Sequence, residues 1–195
     1  MSEPGIAAIR QLIDRQQIGD CLTRHCRGLD RLDHKLVMSA YHPGAISHAW
    51  GIAGTRKNLI DWAFNRLQSR SISTQHDIST RNVDVVGEVA HAETYFLSTA
   101  RDRNGLLWHC GGRYVDRLER RRGEWRIALR YAFTEWAGAL ADRPCPLMEI
   151  AEKRLLPAPR RDASDPSYLR PLSIGGDGGR REDPRPEFPS MSRFY

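Results

Sequence analysis

Apolar and polar positions alternate along this chain with two different periods, and the change from one to the other divides it. From Pro4 to Ile18 the period is helical. Ile6, Ile9, Leu12 and Ile13 form an apolar stripe at spacings of three and four, with Pro4 suited to a first turn. Asp14 and Gly19 suggest a bend before the next stretch, Asp20 to Asp33 (DCLTRHCRGLDRLD). There Leu22, Cys26, Leu29 and Asp30 fall on neighbouring positions of one helical face, so an acid stands at the end of an apolar stripe. A short helix follows from Asp33, with Leu36, Val37 and Ala40 facing in, until His42-Pro43-Gly44 stops it.

The period then shortens. Ala45 to Trp50 alternates as a strand and is ended by Gly51 and Gly54. Thr55 caps a second long helix carrying Leu59, Ile60, Trp62, Ala63, Phe64 and Leu67. Beyond it the chain is strand-rich: Ile72 to Val86 alternates around His76, and Val89 to Ala100 around Tyr95. Arg103-Asn104-Gly105 is a strong hairpin signal, because Asn-Gly accepts the positive φ of a tight turn. Leu106 to Glu119 and Trp125 to Trp136 are two more long strands joined at Arg122-Gly123, and Gly111-Gly112 marks a bend or bulge. Helices followed by an antiparallel meander of about four strands predict an α+β fold in which a curved antiparallel sheet, closed by helices, encloses an apolar pocket.

After Gly138 the character changes. Residues 1–140 read as the folded domain and 141–156 as a short helix (Pro144 to Leu156). Residues 157–195 read as an extended tail rich in Pro, Gly and Arg, whose composition buries too little apolar surface to fold alone. Anchors such as Tyr168, Leu172, Phe188 and Phe194 predict that the tail packs on a neighbouring subunit of a homo-oligomer, a trimer or dimer.

Composition narrows the function classes. A chain of 195 residues is long enough for one domain with a proper core and an appendage. It shows neither a secretory signal pattern nor an apolar run of membrane-spanning length, so a cytoplasmic protein without a membrane partner is expected. The four cysteines lack any CxxC spacing and read as small core residues, not a zinc or disulfide framework. The net charge of +6 includes runs such as Arg120-Arg121-Arg122. Acids are interspersed throughout and no nucleic-acid motif is present, so no nucleic-acid partner is expected.

Candidate chemistry centres on Asp30. A carboxylate facing inward loses water and needs a donor, and His76 is the candidate partner. Two readings stay open locally: a buried acid, or a cap between helices, since Asp competes for backbone donors at such points. Asp77 beside His76 leaves open which of those two points inward. For metal binding, His42, His48, His91 and His109 lack the spacing that delivers a ligand set from one element, and no metal is expected.

Four segments together carry a resemblance: Ile9-Arg10-Gln11-Leu12-Ile13-Asp14-Arg15, Arg27-Gly28-Leu29-Asp30-Arg31-Leu32-Asp33, Tyr41-His42-Pro43 and Gly123-Glu124-Trp125-Arg126-Ile127. Over roughly residues 5 to 137 the chain resembles the SnoaL-like branch of the nuclear transport factor 2-like superfamily. That resemblance implies a cone-shaped α+β barrel opening to an apolar cavity. It also implies kinship with polyketide cyclases, scytalone dehydratase, hexachlorocyclohexane dehydrochlorinase, bile acid 7α-dehydratase and metal-free aromatic-diol lyases. In several of these lyases an aspartate at the end of an early helix and a histidine on the strand after the long helix form the catalytic pair, positions that Asp30 and His76 match. The bile-acid branch has a tyrosine where this chain places His25.

Such a pair can act without a cofactor. An imidazole accepts and returns a proton near neutral pH while a carboxylate behind it fixes the tautomer and stabilises the imidazolium. Elimination of water or a retro-aldol cleavage on an apolar, hydroxylated aromatic or polycyclic substrate fits this chemistry. Developing negative charge needs donors. By strand alternation His109 and Arg113 share a face, Arg130 and Tyr131 lie on the last strand and Tyr95 sits mid-strand. The expected substrate contacts are Tyr41, Trp50, Tyr95, His109 and Arg130. The competing class is a non-catalytic binding or assembly subunit, such as the small subunit of aromatic-ring dioxygenases. An enzyme should hold the imidazole and carboxylate within hydrogen-bond reach in an open cavity, whereas a structural subunit should fill that cavity with side chains.

Overall fold

The computed structural model describes residues 5–140 and 160–168. The elements are α1 (Ile6–Asp30), α2 (His34–Ser39), β1 (Tyr41–Ala49), β2 (Ile52–Thr55), α3 (Arg56–Arg70), β3 (Ser71–Val86), β4 (Val89–Asp102), β5 (Leu107–Arg121) and β6 (Glu124–Leu140), with a 3-10 turn at Pro166–Tyr168. Six strands form one curved, unclosed sheet in the order β2-β1-β6-β5-β4-β3, with the helices on its concave side. No described helix is long and apolar enough to cross a membrane. The segment expected as a helix at 141–156, and most of the tail, lie outside the described residues.

The expected α+β architecture is present, with one correction: the sheet is mixed. β1 pairs with β6 in parallel, while every other pairing is antiparallel. The cause is the return through α3, which starts β3 in the direction of β2. Four strands of meander then bring β6 back alongside β1, running the same way.

The bend expected near Gly19 does not occur, and α1 is a single helix of 25 residues. Asp14 instead has a tertiary role. Its Oδ1 accepts from the indole Nε1 of Trp125 at 2.8 Å and from Arg120 at 2.7 Å. Gly19 makes room for the Arg81 guanidinium, which a Cβ would meet at 2.3 Å. The stripe expected at the N-terminal end of this helix is exposed, Ile6 by 74 % and Leu12 by 66 %. Only from Ile18 onward does α1 enter the core, through Ile18, Leu22 and Leu29. These pack with Val37, Tyr41, Ile60, Phe64, Leu118, Trp125 and Ile127.

Two close approaches shape the helical layer and the sheet. Gly28 lets α2 lie against α1, since a Cβ there would come within 2.5 Å of Val37 Cγ2 and 2.8 Å of its backbone nitrogen. The Gly111-Gly112 pair sits where the β5–β6 register shifts, the bulge its sequence suggested. β1 starts earlier than expected, at Tyr41, because His42-Pro43-Gly44 is absorbed as an irregularity in the β1–β6 pairing, with Gly44 at φ +80°.

Candidate active site

Asp30 is the last residue of α1, and the apolar face that buries Leu22, Cys26 and Leu29 carries its carboxylate to β3. There Oδ2 accepts from the backbone N–H of His76 at 2.9 Å, and Oδ1 lies 2.6 Å from His76 Nδ1. Both side chains are nearly enclosed, 12 % and 11 % exposed. The capping role belongs to Asp33, whose Oδ1 accepts from Leu36 N–H at 2.9 Å. Of the two readings open for Asp30, the buried acid is the one the structure shows. Asp77 is exposed and its carboxylate takes the Gln75 amide, so His76 is the inward residue of the pair.

An ionised Asp30 can only accept, so Nδ1 is the protonated nitrogen of His76 and Nε2 is left basic. The ring forms part of the wall of a cavity of about 650 Å³ between the helices and the concave sheet. Apolar side chains, among them Leu29, Ile60 and Phe96, make up much of that wall. A second, smaller hollow of about 380 Å³ lies behind the pair and is walled by polar residues including Arg27, Asp77 and Ser167.

A buried polar chain lines another part of the main cavity. The Arg130 guanidinium, 2 % exposed, forks onto Asp116 through two bonds of 2.7 Å, and its carbon lies 4.0 Å from the centroid of the Tyr114 ring. Arg130 also donates to Tyr41 Oη at 3.3 Å, and Tyr41 Oη is 3.2 Å from His25 Nδ1. Burial, and next the positive charge of Arg130, hold the His25 imidazole well below its ordinary value. It is therefore a neutral ring at neutral pH, and with Nδ1 protonated it donates to Tyr41 Oη and leaves the tyrosine proton free to face the cavity. Burial likewise pushes Tyr41 up, keeping it a phenol, although Arg130 opposes that shift. Burial also raises the thiols of Cys21 to about 11 and Cys26 to about 12, which makes them inert core groups.

Of the five expected substrate contacts, Tyr41 and Arg130 face the cavity side by side. Trp50 stands at its edge, 54 % exposed, in the β1–β2 turn at φ +55°. His109 borders the cavity, but its Nδ1 is 2.8 Å from Thr99 Oγ1 and its ring stacks on Trp136. Tyr95 is a correction: it lies on the outer face of the sheet, 44 % exposed, beside Arg113. Strand parity explains this, since Ala90, Ala92, Thr94 and Phe96 are the inward residues of β4. The cavity wall also includes His25, Phe96 and Tyr114, which were not among the expected substrate contacts. The even-numbered parity set by Ala90 and Ala92 on β4 would have marked Phe96. Among the described residues no group of His, Cys, Asp or Glu is arranged to hold a metal ion.

The SnoaL-like domain family matches residues 10–131, well over half of the chain. The chain belongs to the SnoaL-like family. Among solved structures, the type 2 hexachlorocyclohexane dehydrochlorinase LinA superposes with a TM-score of 0.65 at 19% identity, covering 71% of this chain and 97% of its own. The type 3 LinA of Novosphingobium barchaimii LL02 gives 0.64 at 17%, covering 70% and 97%. A Novosphingobium aromaticivorans DSM 12444 protein named for scytalone dehydratase gives 0.61 at 16%, covering 69% and 93%. At these identities the likeness establishes the fold. No curated protein sequence matches the chain significantly.

Proposed function

We propose that this SnoaL-like protein is a cofactor-free lyase, a dehydratase or C–C lyase, or an isomerase, with His76 as the base and Asp30 as its orienting partner. The observation that carries the reading is the 2.6 Å contact between Asp30 and His76 at the wall of an open, mostly apolar cavity. In a dehydration, His76 Nε2 removes a proton from a carbon beside an electron-withdrawing group. The C–H electrons form the new double bond and the neighbouring C–O bond breaks. The departing hydroxide takes that proton back from the imidazolium and leaves as water, so the base is restored and no electrons are gained or lost. Asp30 stabilises the imidazolium, and a water-poor wall strengthens that attraction. The hydroxyl of Tyr41, backed by Arg130, is a donor for the oxyanion or leaving group.

The substrate class follows from the wall. Its aromatic and aliphatic surface suits a flat, hydroxylated aromatic or polycyclic molecule, and the relatives' names add ring compounds that lose HCl. The cavity of about 650 Å³ supports an enzyme over an assembly subunit, whose interior should be filled by side chains. The test is a panel of hydroxylated aromatic, steroid-like and chlorinated ring compounds, followed for loss of water or formaldehyde by mass and for chloride release. Turnover should fall by about 10²–10⁴ in His76→Gln. Equal turnover in the variant and the parent would remove His76 from the chemistry.

We also propose that the protein is a cytoplasmic homo-oligomer. Cys21, Cys26 and Cys110 are free thiols, in keeping with a reducing compartment. The outer sheet face supports association: Tyr95, Leu97, Val115, Tyr131 and Phe133, between 38 and 47 % exposed, cluster across β4, β5 and β6. A contiguous exposed apolar surface of this kind supports contact with another protein surface, here a second copy of the chain.

A further inference from the structure

The family match ends at residue 131, yet a segment far beyond it reaches the candidate site. Residues 160–168 lie behind Asp30, held by the end of α1. Arg31 donates to the Arg160 carbonyl at 2.7 Å and pairs with Asp165 at 3.5 Å. The Tyr168 hydroxyl donates to Asp33 Oδ2 at 2.9 Å, and the Arg27 guanidinium carbon stands 4.8 Å from the centroid of the Tyr168 ring. The segment is itself stiffened by Asp165, which accepts from the Arg160 and Ser167 amides and from the Ser167 hydroxyl. The Ser167 hydroxyl, foremost among these donors, holds that carboxylate at about 2, so it is charged at any ordinary pH.

This anchorage presents one side chain to the back of the site. The Arg161 guanidinium donates to the backbone carbonyl of Asp30 at 3.3 Å, to the carbonyl of Ser71 at 2.8 Å and to Thr74 Oγ1 at 3.1 Å. These three acceptors lie on the two elements that must meet for the pair to exist. Asp30 ends α1, while Ser71 and Thr74 open β3 just before His76. At the end of α1 the carbonyls of Arg27, Gly28 and Leu29 take the amides of Arg31, Asp33 and Leu32. The Asp30 carbonyl takes Arg161. A helix leaves its last carbonyls unsatisfied and carries partial negative charge there, so a guanidinium is well matched to that position. Its planar fork of donors spans helix and strand at once, which a lysine ammonium does less well.

We propose that Arg161 is a positioning residue that locks the carboxylate of Asp30 onto the His76 imidazole from behind, so that the chain beyond the SnoaL-like domain completes the site. This inference rests on the reading of Asp30 and His76 as the acid/base pair. Arg161 itself stays out of the reaction. It fixes the distance across which the carboxylate holds the tautomer, and a displacement of about 1 Å at such a pair costs on the order of 10²-fold in rate.

The experiment follows the Nδ1 proton of His76 by NMR in full-length protein with labelled histidine, assigning the signal by its loss in His76→Gln. The ring proton that His42 Nε2 shares with the Glu119 carbonyl, at 2.7 Å, serves as a remote internal control. In Arg161→Gln, exchange of the His76 proton with water should rise at least tenfold while that of His42 stays unchanged. Arg161→Lys should recover part of the protection. Thr74→Val, which removes one acceptor and leaves Arg161 in place, should move exchange the same way by less, and it serves if the Arg161 variants fold poorly. Unchanged exchange of the His76 proton in Arg161→Gln, or an equal rise at His42, would overturn the positioning role. Loss of turnover in His76→Gln together with parent-like exchange in Arg161→Gln would sink this inference alone. A parent in which the His76 proton has no protection would sink the reading of the pair as well.

Discussion

His25 links the cavity wall to the pH dependence of the whole fold. Its imidazole is buried beside Tyr41 and Tyr114, with the positive charge of Arg130 close by, and burial chiefly depresses its affinity for a proton. A depressed histidine leaves stability intact above the unfolded value near 6.5. Below that pH the unfolded chain takes a proton that the native state refuses, so stability falls as pH drops. The slope from one such group approaches about 1.4 kcal/mol per pH unit. Urea midpoints measured between pH 7 and 5 should therefore fall in the parent and fall less steeply in His25→Gln, which keeps a hydrogen-bonding partner for Tyr41. The neighbouring ion pair behaves differently. Asp116→Ala leaves the Arg130 charge buried without its carboxylate and should cost about 3–5 kcal/mol in chemical denaturation. Joint replacement by Met at 130 and Leu at 116 should cost much less, because both desolvation penalties vanish together.

At the scale of elements, the site depends on where backbones come close. A Cβ on Gly112 would stand 1.8 Å from the carbonyl oxygen of Phe133, and backbone at a paired strand cannot step aside cheaply. Gly112→Ala should lower stability by more than about 2 kcal/mol and loosen the β5–β6 bulge, read as faster amide exchange around Phe133. The elements themselves were largely legible in the order of residues, because each carries its own period. The Leu22, Cys26, Leu29 and Asp30 stripe pointed to the acid, and the alternation around His76 to its strand. Three features were not legible. The unbroken α1 depends on Asp14 finding Trp125, more than a hundred residues away. The parallel β1–β6 pairing depends on the route of the chain through α3. The outward turn of Tyr95 depends on a strand parity that a lone aromatic cannot announce. Each is set by tertiary contacts that no local window contains.

The whole molecule presents two opposed faces of one sheet, and the outer one exposes a cluster of apolar side chains. The Tyr131 ring stacks on His48 at 4.4 Å and on Phe133 at 6.1 Å, so β1 and β6 share one aromatic surface. Arg113, beside Tyr95 on that face, is already paired with Glu93 and Glu135 at 2.5 Å each. The exposed rings around this ion cluster favour contact with another apolar surface. Light scattering should return a dimer or trimer for the parent and a monomer for Phe133→Glu combined with Tyr131→Glu. A monomeric parent would end that proposal.

The fork between Arg130 and Asp116 has a bearing on what the cavity welcomes. The guanidinium on this wall is already matched by a carboxylate and shielded by the Tyr114 ring, so its positive potential is largely cancelled before any guest arrives. A molecule carrying its own anion would shed water on entry and receive little attraction in return. The hollow therefore favours uncharged visitors, and a free acid should enter less readily than its methyl ester.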